Sequence, residues 1–215
     1  TVRERDFSAL LSAVKSARAR GIGSMYILAP TFGAPATFER NLMELAKSGN
    51  TVELHTEIRA DAITPRSARL MKEAGFTSLE IGLQTLNPAA LEKIGRKGDP
   101  SKQIAGIRNL LDEGLDIKAG IIAGLPGDTA DEFIGTIDTL DGEGLGETIE
   151  LYPLMVLPGT KIRQMAEAEK IAYQKKPPYL FLESPGFSRE DIRRIRAHIE
   201  DVTGFTAGVR SLPDF

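Results

Sequence analysis

Residues 51–84 read TVELHTEIRADAITPRSARLMKEAGFTSLEIGLQ, and this stretch decides the fold. Thr51–Arg59 is a strand candidate. Pro65–Ala74 is a helix: Thr64 stands at the N-cap, Pro65 opens the first turn and Gly75 stops it. Ser78–Gln84 is a second strand. Two strands joined through a helix run parallel, because a tight hairpin can reach only an antiparallel neighbour.

The same sentence repeats outward in both directions. Upstream, Phe7–Ala19 places Phe7, Leu10, Leu11, Val14 and Ala17 at helical spacing, Ser24–Ala29 is a short strand ending at Pro30, and Phe38–Ala46 is a helix. Downstream come helices over Pro88–Ile94 and Lys102–Glu113, a strand Asp116–Ala123, a helix Ala130–Leu140, a long strand Thr148–Leu157 and a helix to Glu169. Five strand–helix units predict an α/β fold with right-handed crossovers, either a doubly wound sheet or a curved partial barrel. The apolar runs Tyr26–Leu28 and Ile117–Ile122 predict burial on both faces. Beyond Ile171 the pattern changes, giving a 1–172 domain and a 173–215 extension. In that extension Tyr173–Pro185 reads as an irregular crossing segment and Ser188–Val202 as a charged helix capped by Ser188. Gly204–Phe215 reads as a tail.

Composition sets limits on function. The chain has 215 residues, 41% of them apolar and 27% charged, which is ordinary for a soluble globular domain with a real core. Lys+Arg 27 against Asp+Glu 30 gives no whole-chain attraction to nucleic acid or anionic lipid. No apolar run approaches the ~20 residues that span a bilayer, so a cytoplasmic location is expected. Cysteine is absent, which excludes disulfides, a thiol nucleophile and any cysteine-held iron–sulfur cluster or zinc within these residues. His55 and His198 alone supply a histidine metal site or a Ser–His–Asp triad poorly.

In a parallel sheet or barrel, ligands sit at the carboxyl ends of the strands. Those ends carry Pro30-Thr31-Phe32, then Glu57, Arg59 and Asp61, then Gln84-Thr85, then Gly124-Leu125-Pro126-Gly127, then Pro158-Gly159-Thr160. Alternation puts Glu57, Arg59 and Asp61 on one face, either aimed into a ligand pocket or joined in a salt-bridge network. The Gly124–Gly127 and Pro158–Thr160 turns offer open backbone groups suited to a flat ring edge, and neither holds a phosphate-cradling motif. His55 reads as a surface or packing histidine and His198 as solvated. Tyr173, Pro177, Pro178 and Tyr179 line a pocket mouth or pack a crossing segment. Arg189, Arg193, Arg194 and Arg196 alternate with acids and read as a solvated face.

Taken in order, Glu57-Ile58-Arg59-Ala60-Asp61, Ala74-Gly75-Phe76, Leu79-Glu80-Ile81-Gly82-Leu83-Gln84-Thr85, Gly120 to Thr129 and Val156-Leu157-Pro158-Gly159-Thr160 resemble the radical S-adenosylmethionine superfamily. The branch most similar contains cobalamin-domain-associated, methylthiotransferase-like and coproporphyrinogen-oxidase-like enzymes. The resemblance covers about Arg3 to Pro185. It implies a partial (β/α)6 barrel, here five β/α units with a C-terminal helical extension. It also implies S-adenosylmethionine and a 4Fe–4S cluster as cofactors, with cobalamin a further one for a longer parent protein. A reductant such as flavodoxin or ferredoxin and a small-molecule substrate are the implied partners. Residue by residue, it implies that Glu57 and Gln84 contact the ribose or methionine part of S-adenosylmethionine, with Arg59 in the same pocket. Gly120–Gly124 and Leu125 then line the adenine, and Val156, Leu157 and Pro158 close over it.

Two departures stand out. The three-cysteine cluster motif is missing, and Arg3-Glu4-Arg5 fits the Arg-x-Arg that follows it, so the resemblance implies a chain beginning just downstream of the cluster loop. That leaves Tyr26–Leu28 as an unpaired apolar edge. Also, Ala29-Pro30-Thr31-Phe32 stands where many relatives carry an acidic residue or Gly-Gly-Glu. The expectation is therefore the core of a radical enzyme; the alternative is a cysteine-free, non-catalytic binding module. An aldolase- or isomerase-like barrel is a third reading, which needs a Lys at a strand end, and Lys118 lies mid-strand.

Overall fold

The computed structural model describes residues 6–29, 32–33, 36–96 and 98–204. Its elements run α1 (Phe7–Ala19), β1 (Ser24–Ile27), α2 (Phe38–Lys47), β2 (Glu53–Ile58), α3 (Pro65–Glu73), β3 (Phe76–Gln84), α4 (Pro88–Lys93) and α5 (Pro100–Asp112). Then follow β4 (Asp116–Ala123), α6 (Ala130–Gly142), β5 (Ile149–Pro153), α7 (Lys161–Met165), β6 (Ala172–Tyr173), β7 (Phe181–Glu183) and α8 (Arg189–Thr203). Three-residue 3₁₀ turns lie at Ala60–Ala62 and Gly146–Thr148.

The main sheet has the order β1-β2-β3-β4-β5, with β1/β2, β2/β3 and β4/β5 paired parallel. Sequential order separates the two topologies open to the sequence. A doubly wound sheet reverses direction at a switch point, whereas barrel winding adds each strand beside the last. The chain is α/β with barrel-type winding, and β1 and β5 are the two ends of the order.

The residues cluster into two compact units, one of residues 1–82 and 98–118, the other of 83–97 and 119–215. In the first, one face of β2 and β3 is covered: Leu54, Ile58, Leu79 and Ile81 are buried together with Leu42 and Leu45 of α2, Met71 of α3 and Ile107 of α5. The opposite face is open among the described residues. Tyr26 is 46% exposed, and Glu57, Glu80 and Lys118 are exposed as well. The expected burial of both faces is thus corrected for the two runs that suggested it: β1 holds no buried residue, and β4 alternates buried residues with more open ones. The second unit is built on an aromatic trio, Phe133–Phe187 and Phe181–Phe187, each pair edge-on at 6.1 Å. Ile192, Ile195 and Ile199 of α8 are buried in it.

Local signals explain the helix starts. The Thr64 hydroxyl accepts from the Ser67 N–H while Ser67 returns a bond to the Thr64 N–H, and Ser188 with Asp191 repeats the arrangement at α8. Tyr173–Pro185, expected to be irregular, pairs β6 with β7 as a short antiparallel ribbon. Among the described residues no helix is long and apolar enough to cross a membrane. The Arg3–Arg5 stretch, Pro30-Thr31 and residues 205–215 of the tail lie outside the described residues.

Candidate functional site

The open face of the first unit is built by strand parity. Tyr26 stands opposite His55 in the β1/β2 register, and Glu57 opposite Glu80 in β2/β3. Residues two apart share a face, so His55 and Glu57 lie on the same side. His55 Nδ1 is 2.5 Å from Ser78 Oγ, which makes it a partnered histidine of this face. Burial pushes the Tyr26 phenol above its ordinary value, and the charge and hydrogen bond of Glu80 and the charge of Glu57 add to the rise. Tyr26 and Glu80 are members of this face that sequence reasoning passed over, although strand alternation alone would have placed them.

Glu57 and Arg59 part company. The strand ends at Ile58, and Ala60–Ala62 turns as a 3₁₀ helix, so the alternation does not continue to Asp61. Arg59 instead grips Asp61 in a two-pronged pair, Nε to Oδ1 at 3.2 Å and Nη2 to Oδ2 at 2.6 Å. That bond, outweighing burial, raises the guanidinium above its usual value. Of the two readings of this segment, the salt bridge describes Arg59 and Asp61, while Glu57 stays exposed on the open face.

In the second unit the ends of β3 and β4 are tied by a buried polar network. Gln84 closes β3 with φ 76, a left-handed conformation that non-glycine residues rarely adopt. The next residue, Thr85, donates its hydroxyl to Asp128 Oδ2 at 2.9 Å. Asn87 Nδ2 donates to Asp128 Oδ1 and to Glu132 Oε2, each at 3.0 Å, and the Thr129 N–H donates to Asp128 Oδ1 at 3.1 Å. Asp128 is 4% exposed, and burial raises its carboxyl above the ordinary carboxylate value despite the bonds from Asn87, Thr85 and Thr129. The network holds the Gly124–Gly127 turn in place. There Gly124 has φ 92, and a Cβ on it would come within 2.8 Å of the Phe181 ring, so only glycine fits. Leu125 is buried.

The last candidate segment follows β5, which is shorter than expected and ends at Pro153. Val156 is fully buried, Leu157 is 41% exposed and Pro158 is exposed. Arg163 of α7 donates from Nη1 to the Val156 carbonyl at 3.1 Å and lies over the rings of Tyr173 and Tyr179. Those tyrosines therefore pack against Arg163. His198 is also partnered, with Nε2 2.6 Å from Asp138 Oδ1, and Arg193 and Arg194 pair with Glu190, Asp131 and Asp191. No group of three or more His, Cys, Asp or Glu side chains among the described residues is placed to hold a metal ion.

Comparison with known proteins gives this geometry a context. A family model described as the Radical SAM superfamily matches residues 1–140. The GTP 3',8-cyclase of Rhodopseudomonas palustris is 26% identical over 180 residues, covering 80% of this chain and 51% of its own length. The heme chaperone HemW of Mycobacterium tuberculosis is 24% identical over 121 residues, covering 56% of this chain and 31% of its own. Among solved structures, the radical S-adenosylmethionine methyltransferase TsrM from Kitasatospora setae, with cobalamin and a [4Fe-4S] cluster bound, superposes with a TM-score of 0.72. That match has 16% identity and covers 98% of this chain and 49% of the other. The coproporphyrinogen III oxidase HemN of Escherichia coli gives 0.64 at 18% identity, covering 91% of this chain and 46% of the other. These likenesses show the fold, and the chain spans only about a third to a half of the length of such relatives.

Proposed function

Because this chain belongs to the radical SAM superfamily, we propose that it is the S-adenosylmethionine-binding core of a radical enzyme. The reading rests on the family match over residues 1–140. The cluster does not fit the residues present: there is no cysteine, and no step through a cluster is assigned to this chain. In this reading the three thiolates come from outside these 215 residues, and the parent protein uses an external reductant of the flavodoxin or ferredoxin kind. The cobalamin-bound likeness supports cobalamin as a further cofactor of such a parent.

S-adenosylmethionine does fit the donor chemistry. Glu57 offers an exposed carboxylate to ribose hydroxyls or the ammonium group. Gln84 offers a side-chain amide from a left-handed backbone position, φ 76, next to the Thr85 that Asp128 anchors. The Gly120–Gly124 backbone and Leu125 border the adenine, and Leu157 and Pro158 give it apolar cover. Arg59, held by Asp61, contributes positive charge near the carboxyl end of β2. When bound, the cofactor supplies hydrogen-atom abstraction, and these residues bind and orient it.

Equilibrium dialysis of the chain against S-adenosylmethionine tests this. Glu57→Gln and Gln84→Ala each weaken binding by about ten- to a hundredfold, the range of a hydrogen bond to a charged group or a buried amide. Undiminished affinity in both variants rejects the assignment of these residues, and no binding by the folded wild type rejects the function. The absence of cysteine favours a second reading, a binding module without radical chemistry. Formation of 5′-deoxyadenosine by the anaerobically reconstituted whole gene product separates the two.

A further inference from the structure

The β2/β3 ladder carries an irregularity that brings two side chains together. Leu54 stands opposite Phe76, but the next residue of β2, His55, stands opposite Ser78, so Thr77 is an extra residue in β3. It reverses the strand's alternation: Phe76 is buried before it, and Leu79, Ile81 and Leu83 are buried after it. Ser78 is thereby turned to the open face that carries His55, Glu57 and Glu80. The bulge is not favourable in itself, because Thr77 Oγ1 is left buried without a hydrogen-bond partner. Bulges gather next to active sites, where they re-aim one side chain, and the one re-aimed here carries a nucleophilic hydroxyl.

That hydroxyl meets a base. Ser78 Oγ lies 2.5 Å from His55 Nδ1, and both residues are half-buried. With the imidazole hydrogen on Nε2, Nδ1 accepts from the hydroxyl and is placed to take its proton. The backbone beneath is anchored: Thr56, next to His55, is fully buried and donates its hydroxyl to the Ile27 carbonyl at 2.9 Å. The surroundings are acidic. Glu53 and Glu57 flank His55 on the same face, and Glu80 follows Ser78 on it. On β4 the exposed Asp116 and Lys118 offset each other. An anionic acyl donor is therefore repelled, and a neutral or cationic one is not.

We propose that Ser78 and His55 are a nucleophile–base pair that takes the acyl group from a neutral or cationic ester. Ser78 Oγ attacks the carbonyl carbon while its proton passes to His55 Nδ1. The bond from that carbon to the alcohol oxygen then breaks, the alcohol leaves with the proton, and the acyl group stays on Ser78. Water attacks the acyl-serine by the same route, releasing the acid and restoring the hydroxyl. The reaction needs no redox step and no cofactor, so it is separate from S-adenosylmethionine binding and stands or falls without it.

The test follows p-nitrophenol release from p-nitrophenyl butyrate and locates the acyl group by peptide mass after an acid quench. The wild-type chain is expected to give a burst of about one equivalent and a butyryl group on Ser78. Ser78→Ala abolishes the burst, and His55→Gln slows acylation by about a hundredfold or more, the range of general-base catalysis. The hemisuccinate ester of p-nitrophenol, similar in length but anionic, acylates Ser78 at least about threefold more slowly, the effect of one like charge at ~7 Å in water. The label on the wild type decides the matter even where a variant unfolds: no burst, or acyl groups on Tyr26, His55 or lysines in place of Ser78, overturns the proposal. A His55→Gln chain that acylates at the wild-type rate overturns it as well. Equal rates for the two esters overturn the assigned substrate class.

Discussion

Replacing Gly106 by alanine is expected to lower stability by at least about 3 kcal/mol, at the severe end of what overpacking costs. A Cβ built there lies 1.9 Å from the Ala60 carbonyl oxygen and 2.7 Å from its carbon. Taking ~3.3 Å as an ordinary C···O approach, α5 would have to retreat by more than about 1 Å. Neither side can yield cheaply. Ala60 is fully buried in the turn that carries Arg59 and Asp61, and Ile107 and Leu110 beside Gly106 are fully buried as well. The control is Gly135→Ala in the interior of α6, where no atom lies within 4 Å of the added methyl. Relief of the backbone entropy cost of a helical glycine should stabilise that variant by about 0.5–1 kcal/mol. Opposite signs for two identical substitutions, read by chemical denaturation, are the expected result. An unaltered midpoint for Gly106→Ala would mean that α5 does not lie this close to the Ala60 turn.

That contrast shows what the sequence could and could not reveal. Both glycines sit in segments whose helical reading was plain, with α5 expected over Lys102–Glu113 and observed over Pro100–Asp112. The helix period is local, and so are the caps at Thr64 and Ser188; these were legible because the residues that decide them are neighbours in sequence. β4 was found over the expected Asp116–Ala123 for the same reason. What failed depended on distant partners. β5 stops at Pro153 because the next residues bond to Tyr179 and Phe181, and no period reports that. The two-residue strand β6 is too short to show alternation. The apolar look of Tyr26–Leu28 suggested two buried faces, yet Tyr26 is exposed, as are the polar residues on its side, Glu57 and Glu80. Motif order placed Gln84 and the Gly124–Gly127 turn at strand ends. The residues that hold them, Asn87 and Asp128, look like ordinary turn residues until Thr85 and Asp128 are seen bonded across 43 positions.

Asp128 therefore carries the second large effect. Asp128→Ala strips the acceptors from the Thr85 hydroxyl, the Asn87 amide and the Thr129 N–H at once. Donors left unsatisfied in a buried place cost about 1–3 kcal/mol each when nothing replaces the partner. Asn87 keeps Glu132 and Thr85 keeps Thr136 as neighbours, so the net loss expected is about 2–4 kcal/mol, below the simple sum of the three. Asp128→Asn should be far milder. Its oxygen can still accept from Asn87 and Thr129, and its amide can donate to Thr85, whose hydroxyl turns to Thr136 at 3.4 Å. The two variants also differ from wild type in pH dependence. Burial raises the Asp128 carboxyl above its ordinary 3.8, so the folded state holds this proton more tightly than the unfolded chain. The stability it contributes is fully present below 3.8 and is lost as pH rises through the raised folded value. Asparagine, neutral throughout, has no such loss. The deficit of Asp128→Asn relative to wild type should therefore shrink as pH climbs from below 3.8 toward neutrality. Denaturation midpoints of the pair across that window measure it. A deficit that grows with pH would mean the three hydrogen bonds outweigh burial and that Asp128 is held as a carboxylate. Under the proposed function, S-adenosylmethionine affinity is expected to follow the fold of this turn, since the left-handed Gln84 stands next to the Thr85 that Asp128 anchors.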